Sequence, residues 1–254
     1  MENVIDIYGK YAPAYTISNE SQRWATCMVP NVRRVLTVAG SGDQALFYKL
    51  AGAKTVHTFD RTQNARVIQD IKFTAIKNIE YFEYSNLLTD LYYSADIMKI
   101  PTMQKIAHLL PRKTVEIINT PGNKHVFGAG LDARNYPENI PSPLEYEQLK
   151  QTLKRPFNFV CADLYDLSVK MSGEYDLINI SNIFDYCYDS QTRARILYNL
   201  ATHLRVGGHI VYLPQNTNPK CDGFAVFSKK CKLEHMKSVE KDRSSKMLLF
   251  QRTR

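Results

Sequence analysis

The sequence predicts an α/β fold, a mostly parallel, doubly wound sheet that closes on an antiparallel hairpin. Short apolar, β-branched runs alternate with segments of helical periodicity, a glycine-rich turn follows the first run, and two strand-like segments end the chain. The runs "RRVLTVA" (33–39), "TVHTFD" (55–60), "FNFVCAD" (157–163), "YDLINIS" (175–181) and "GHIVYLP" (208–214) are apolar enough to lie buried as parallel strands.

Between the strands, "DQALFYKLAG" and "QTRARILYNLATHLRVGG" carry helical spacing. Each reaches a glycine suited to a helix C-terminus, Gly52 and Gly207. "NARVIQDIKFTAIKNI" is a third helix, with Val67, Ile68, Ile71 and Ala75 spaced for one buried face. "GFAVFSKKCKLEHM" and "SSKMLLFQRT" read as two strands joined by a charged turn. Right-handed crossovers then make residues 1–254 a single domain. Residues 86–155 interrupt the alternation with short helical patterns and six of the eleven prolines. A structureless connection of that length is improbable, so this segment is expected to be a helical insertion over the carboxyl ends of the strands. The loop "PGNKHVFGAGLDARNYP" is its expected lid.

Composition bounds the function. Hydrophobic residues make up 44% and charged residues 23%, the balance of a soluble globular protein. Neither a signal-peptide pattern nor an apolar run of membrane-spanning length is visible, so a cytoplasmic protein is expected. Five scattered cysteines without C-x-x-C spacing argue against a disulfide framework or a structural metal. The net charge is +8, and from Lys220 to Arg254 ten Lys/Arg face four Asp/Glu, so about +6 of it lies in the last 35 residues. Such an end suits an anionic membrane surface, at the inner face of the membrane, or a nucleic acid. A solvated, lysine-rich sheet edge is the plainer alternative.

The chemistry centres on "GSGDQA", Gly40 to Ala45. It satisfies G-x-G-x-x-G/A after a strand and before a helix, so Gly40, Ser41, Gly42 and Asp43 bring backbone close to a ligand at a helix N-terminus. No Gly-Lys-Ser/Thr follows, which excludes a P-loop. Asp60 ends the second strand, with Arg61 after it, where a carboxylate accepts both hydroxyls of a ribose. Dinucleotide enzymes and S-adenosylmethionine (AdoMet) enzymes share that device. Asp163, followed by Leu164, stands where a carboxylate accepts from an adenine amino group, or else caps the next helix. "LINISNIFDY" brings Ser181, Asn182 and Asp185 to a strand end. With "LRVGGHIVYL" and the closing hairpin, this order resembles the Rossmann-like class I AdoMet-dependent methyltransferase fold, which favours AdoMet over NAD.

The segments "GSGDQALFYKLAGAKTVHTFD", "IKFTAIKNIEYFEY", "LINISNIFDY" and "EKDRSSKMLLFQR" together resemble the BtaA-like family of AdoMet-dependent 3-amino-3-carboxypropyltransferases. The family's motifs correspond to Gly42–Leu46, Asp60, Lys72–Glu83, Ser181–Asp185 and Asp242–Ser244. The chain departs from the family after Asp60, where Arg61-Thr62-Gln63 replaces the usual Asn-Pro, and its insertion is shorter. The resemblance implies AdoMet as cofactor and release of methylthioadenosine; the lipid acceptor of the family does not carry over with it, and a small-molecule or lipid acceptor bearing a hydroxyl or amine is expected. Ser181, Asn182 and Asp185 are then the catalytic candidates: Ser181 and its neighbours fix the cofactor's amino-acid tail, and Asp185 takes the acceptor's proton. Arg243 is a candidate for binding a carboxylate. Tyr11, Tyr15 and Trp24 either close over the cofactor or pack as ordinary core.

Overall fold

The computed structural model describes residues 11–20, 22–121, 123, 136–186, 189–214, 226–227, 232–242 and 245–254. In chain order these form α1 (Gln22–Cys27), β1 (Arg34–Val38), α2 (Asp43–Leu50), β2 (Thr55–Asp60) and α3 (Gln63–Asn78). Then come α4 (Tyr81–Tyr93), α5 (Pro101–Ile106), α6 (Arg112–Ile118), α7 (Pro143–Thr152), β3 (Asn158–Cys161) and α8 (Leu164–Lys170). The last elements are β4 (Tyr175–Asn179), α9 (Ser190–Ala201), β5 (Leu204–Tyr212), β6 (Val226–Phe227), β7 (Lys232–Asp242) and β8 (Ser245–Arg252).

Among the described residues the strands make one sheet, in the order β3-β2-β1-β4-β5-β8-β7-β6. The first five are mutually parallel, and β8 enters antiparallel between β5 and β7. This is the Rossmann-like class I methyltransferase arrangement. The chain order reverses between β1 and β4, which opens a crevice at their carboxyl ends, where ligands of open α/β sheets bind.

Strand pleating divides the apolar residues between the two faces. Leu36, Val38, Phe59, Ile178 and Ile210 pack against α8 and α9 through Leu167, Ile196, Leu197 and Leu200. Val35, Val56, Leu177 and Val211 face the other way, against Ala25 of α1 and Ala45 and Tyr48 of α2. The expected face of α3, Val67, Ile68, Ile71 and Ala75, is wholly buried. Each large aliphatic side chain so buried is worth roughly 1.5–3 kcal/mol. Leu87 and Leu91 of α4, Met103, Ile117, Tyr146 and Leu149 cover this face of α3. The helices of the 86–155 segment thus stack along α3, and the Tyr146 hydroxyl donates to the Ala75 and Ile79 carbonyls at its far end, 3.2 and 3.0 Å away.

Gly52 ends α2 as its spacing predicts: with φ +93° it lets its own N–H and that of Ala53 return to the Lys49 and Tyr48 carbonyls, each at 3.0 Å. Two expectations are corrected. Gly207 does not stop a helix; α9 ends at Ala201, and Gly207 lies inside β5 with φ +84°. The pairing with β4 shifts there between Tyr175 and Leu177, and a Cβ on Gly208 would come within 2.9–3.2 Å of three backbone oxygens. The Gly-Gly pair therefore serves a strand irregularity.

The charged turn placed after Met236 is strand instead. Lys237 to Glu240 pair with Leu249 to Lys246, and the chain reverses only after Asp242. The reason is register: β8 buries Met247, Leu248, Leu249 and Phe250, and needs a full-length partner. Among the described residues, only Val226 and Phe227 of β6 pair with the far side of β7.

Candidate AdoMet site

The turn after β1 is shaped by two glycines at positive φ, Gly40 at +48° and Gly42 at +85°. L-residues avoid this region, so glycine belongs at both. Gly42 donates to the Ala39 carbonyl at 2.6 Å and caps α2 without a side-chain bond, so the first amides of α2 point to the carboxyl edge without a capping side chain. A Cβ on Gly42 would press on Gln69 Cγ at 3.0 Å, whereas one on Gly40 would meet no atom within 4 Å. The turn is thus packed on one side and borders open space on the other.

Asp60 stands beside this space, half-buried. Its Oδ2 accepts from the Gly40 N–H at 2.9 Å and its Oδ1 from the Thr62 N–H at 3.1 Å. Burial raises its pKa, with the backbone donors opposing. Each carboxylate oxygen has a second acceptor site, so two hydroxyls can still be bound.

Asp43, expected among the cofactor ligands, is sealed beneath the turn. Its Oδ1 pairs with the Lys72 ammonium, and its Oδ2 accepts from Ser18 N–H at 2.8 Å and Ser41 Oγ at 2.7 Å. The Asp43 and Lys72 side chains are each 1% exposed. The Asp43 side chain therefore supports the turn from beneath. Asp163 caps α8 through one carboxylate oxygen: its Oδ1 accepts from Tyr165 and Asp166 N–H at 2.9 and 3.0 Å at the start of the helix. Leu164 is buried with Leu167, so only its backbone can meet a ligand, and Arg61 is exposed.

Past the end of β4 stands Ser181, a non-glycine residue at φ +51°. Its N–H donates to Asn179 Oδ1 at 2.8 Å, and its carbonyl accepts from Leu213 N–H at 2.8 Å, which pins the unusual conformation. Its hydroxyl donates to Glu20 Oε1. Glu20 Oε2 accepts from Gln44 Nε2 at 2.9 Å, and Gln44 Oε1 from Thr37 Oγ1 at 2.9 Å. Glu20 thereby spans the crevice between β1 and β4, and the sequence reading missed it. "TISNESQ" has no periodicity to flag it; an acid beside Ser18 in an irregular segment is the only signal.

Asn182 follows and leads into a short 3₁₀ turn over Ile183–Tyr186 that carries Asp185, the Asp185 N–H donating to the Asn182 carbonyl at 2.9 Å. The Tyr212 hydroxyl donates to Asp185 Oδ1, and the Tyr212 ring meets Phe184 edge-on at 5.5 Å.

The N-terminal segment crosses the same edge. The Tyr11 and Ala12 carbonyls accept from Asn64 at the start of α3, and the Ser18 carbonyl from Asn139 at 2.7 Å. Tyr11 and Trp24 pack against the core, as the plainer alternative had it, and Tyr15 is exposed. At the edge of the insertion, Asn123 and Asn64 exchange hydrogen bonds of 2.9 and 3.0 Å. Residues 122 and 124–135 of the expected lid, and Arg243 and Ser244 of the D-R-S motif, lie outside the described residues.

No family model and no curated protein matches this chain. Among solved structures it is similar to a ribosomal protein L11 methylase from Lactobacillus delbrueckii subsp. bulgaricus, at 10% identity over 92% of this chain and 78% of that one, TM-score 0.45. A putative SAM-dependent methyltransferase from Streptococcus mutans aligns at 9% identity with TM-score 0.47, over 91% of this chain and 48% of its own length. The N-methyltransferase NodS from Bradyrhizobium japonicum WM9, in complex with S-adenosyl-L-homocysteine, aligns at 11% identity over 91% and 83%, TM-score 0.39. Likenesses this distant carry no weight for function, which rests on the site itself.

That site offers amide donors at a helix N-terminus between two carboxylates, Asp60 and Glu20. It suits a ligand with a hydroxyl pair at one end and a cation at the other. Among the described residues no group of three or more His, Cys, Asp or Glu can hold a metal, and no helix is long and apolar enough to cross a membrane.

Proposed function

We propose that the protein is an AdoMet-dependent transferase that moves the 3-amino-3-carboxypropyl group to a hydroxyl or amine, releasing methylthioadenosine. The observation that carries the cofactor reading is Glu20, whose carboxylate is held between Gln44 and Ser181 in the crevice. A carboxylate there attracts an ammonium or sulfonium and repels a pyrophosphate, which favours AdoMet over a dinucleotide. Open space at Gly40, with Asp60 bonded to the turn, fits a nucleoside. Asp60 would hold the ribose, the Gly40–Gly42 backbone the region beside it, Asp163 and the Leu164 backbone the adenine, and Glu20 with Ser181 the α-ammonium.

AdoMet supplies a sulfonium with three electrophilic carbons, so the orientation of the bound tail selects the group transferred. Ser181 and Asn182 would orient the tail. Asp185, hydrogen-bonded by Tyr212, would take the proton from the acceptor. The choice of aminocarboxypropyl transfer is supported by the joint match of the G-D-Q-A-L turn, the S-N-I-F-D strand end and the D-R-S hairpin. The acceptor is a small molecule or a lipid, and the basic C-terminal 35 residues suit peripheral contact with an anionic bilayer.

Methyl transfer to a small molecule or RNA is the second reading, favoured by the sheet order. Mass spectrometry of AdoMet incubated with the protein and a cell extract decides. Methylthioadenosine supports the proposal, S-adenosylhomocysteine supports methyl transfer, and bound AdoMet with neither product marks a non-catalytic regulator.

A further inference from the structure

At the opposite, amino edge of the sheet, a cavity of about 140 Å³ opens between the starts of β2 and β3 and the ends of α2 and α7. Lys49, Lys54, Lys154 and Arg155 line it together with His57 and Asn158, and none of its twelve lining residues is acidic. None of the four cations forms an ion pair with a described acid. Four like charges around one small space repel one another unless an anion joins them.

Lys49 is engaged with the backbone just past α2: its ammonium donates to the Ala53 and Lys54 carbonyls at 2.8 and 3.2 Å. Lys54, Lys154 and Arg155, all exposed at the rim, remain for a ligand. His57 reports the same positive field. Its pKa is lowered first by burial and then by Arg34 and Arg155, while Tyr175 Oη holds Nδ1 at 2.8 Å. A water occupies about 30 Å³ of liquid, so the cavity has room for a tetrahedral anion and a few waters.

We propose that this cavity binds a phosphate group, gripped by Arg155 through paired N–H donors and by Lys54 and Lys154 as point charges. The five residue steps of β2 from Thr55 to Asp60 separate it from the glycine turn by roughly 17 Å. A phosphate here is consequently a docking handle or an effector, not the reacting group. The group belongs either to a free phosphate or phosphate ester or to an RNA backbone, and the test has an arm for each.

Titration calorimetry uses inorganic phosphate and pyrophosphate, and fluorescence anisotropy uses a labelled 12-mer of oligouridylate at several salt concentrations. The variants are Lys154→Ala/Arg155→Ala and Lys154→Glu/Arg155→Glu, whose exposed positions leave the fold intact by circular dichroism, with Asp60→Ala as the control. Binding of either probe that falls by at least about tenfold in both double variants, and is unchanged in Asp60→Ala, is the expected result. Phosphate binding without tight RNA binding identifies a free anion; tight, salt-dependent RNA binding identifies a backbone. No binding in either arm, or binding that the double variants leave intact, overturns the proposal.

Discussion

Lys72 donates to the Asp43 carboxylate directly beneath the glycine turn, and the two side chains are each 1% exposed. Burial lowers the Lys72 pKa, while the Asp43 charge and hydrogen bond oppose that shift. Such a pair adds little over an apolar replacement, but removing one partner strands the other's charge. Lys72→Met should destabilise the protein by about 3–5 kcal/mol in urea unfolding, and Asp43→Leu/Lys72→Met by much less than the sum of the single changes. A loss below about 1 kcal/mol in Lys72→Met would show that the turn does not need the pair.

Asp60→Ala should weaken AdoMet binding by about 1–3 kcal/mol in calorimetry, the range for losing a charged hydrogen-bond partner. Because burial raises the Asp60 pKa, its carboxylate protonates at a higher pH than an ordinary aspartate. AdoMet affinity should therefore begin to fall at a higher pH than that of a site with an unshifted acid. Unchanged affinity in Asp60→Ala removes the ribose assignment.

Glu20→Gln keeps the shape of the residue and deletes its charge. AdoMet affinity should drop by about 1.5–3 kcal/mol in calorimetry, the range for a hydrogen bond to a charged group. Equal affinity would mean that the ammonium binds elsewhere.

Ser181 at φ +51° holds a conformation that typically costs an L-residue about 1–3 kcal/mol. Ser181→Gly should relieve part of it, raising stability by up to about 1 kcal/mol, yet lower turnover by removing the hydroxyl on Glu20. A variant that is both more stable and fully active would make Ser181 structural only. Asp185→Asn should retain AdoMet binding and lose turnover if Asp185 takes the proton; full activity removes it from the mechanism.

Arg23 grips Glu145 with both nitrogens of its fork, one bond being 2.7 Å, and with the Ser142 N–H it holds the Glu145 pKa down at about 2. A depressed carboxylate stabilises the fold above its usual pKa near 4.5, and that stability is lost as pH falls from there towards about 2. Both side chains are partly exposed, so Arg23→Ala should lower the melting temperature at pH 7 by only about 2–4 °C. Melting curves of wild type and variant should converge as pH approaches 2; a constant gap would assign the effect to packing.

Local pattern alone determined much of this protein. The alternation of apolar runs and helical spacing placed β1, β2 and β4 within two residues of their observed bounds, and marked Val67, Ile68, Ile71 and Ala75 as one buried face. It also put Gly40, Gly42 and Asp60 at one sheet edge, because periodicity and turn chemistry act over a few residues. Tertiary structure decided the rest. Gly207 entered a strand because β4 and β5 pair out of step, and Lys237–Glu240 became strand because β8 needed a partner. Asp43 became a sealed support only through Lys72, 29 residues away, and Glu20 reached the site only by meeting Ser181 across 161 residues. Hydrogen bonds between residues so far apart depend on how finished elements pack, and no spacing rule along the chain encodes them.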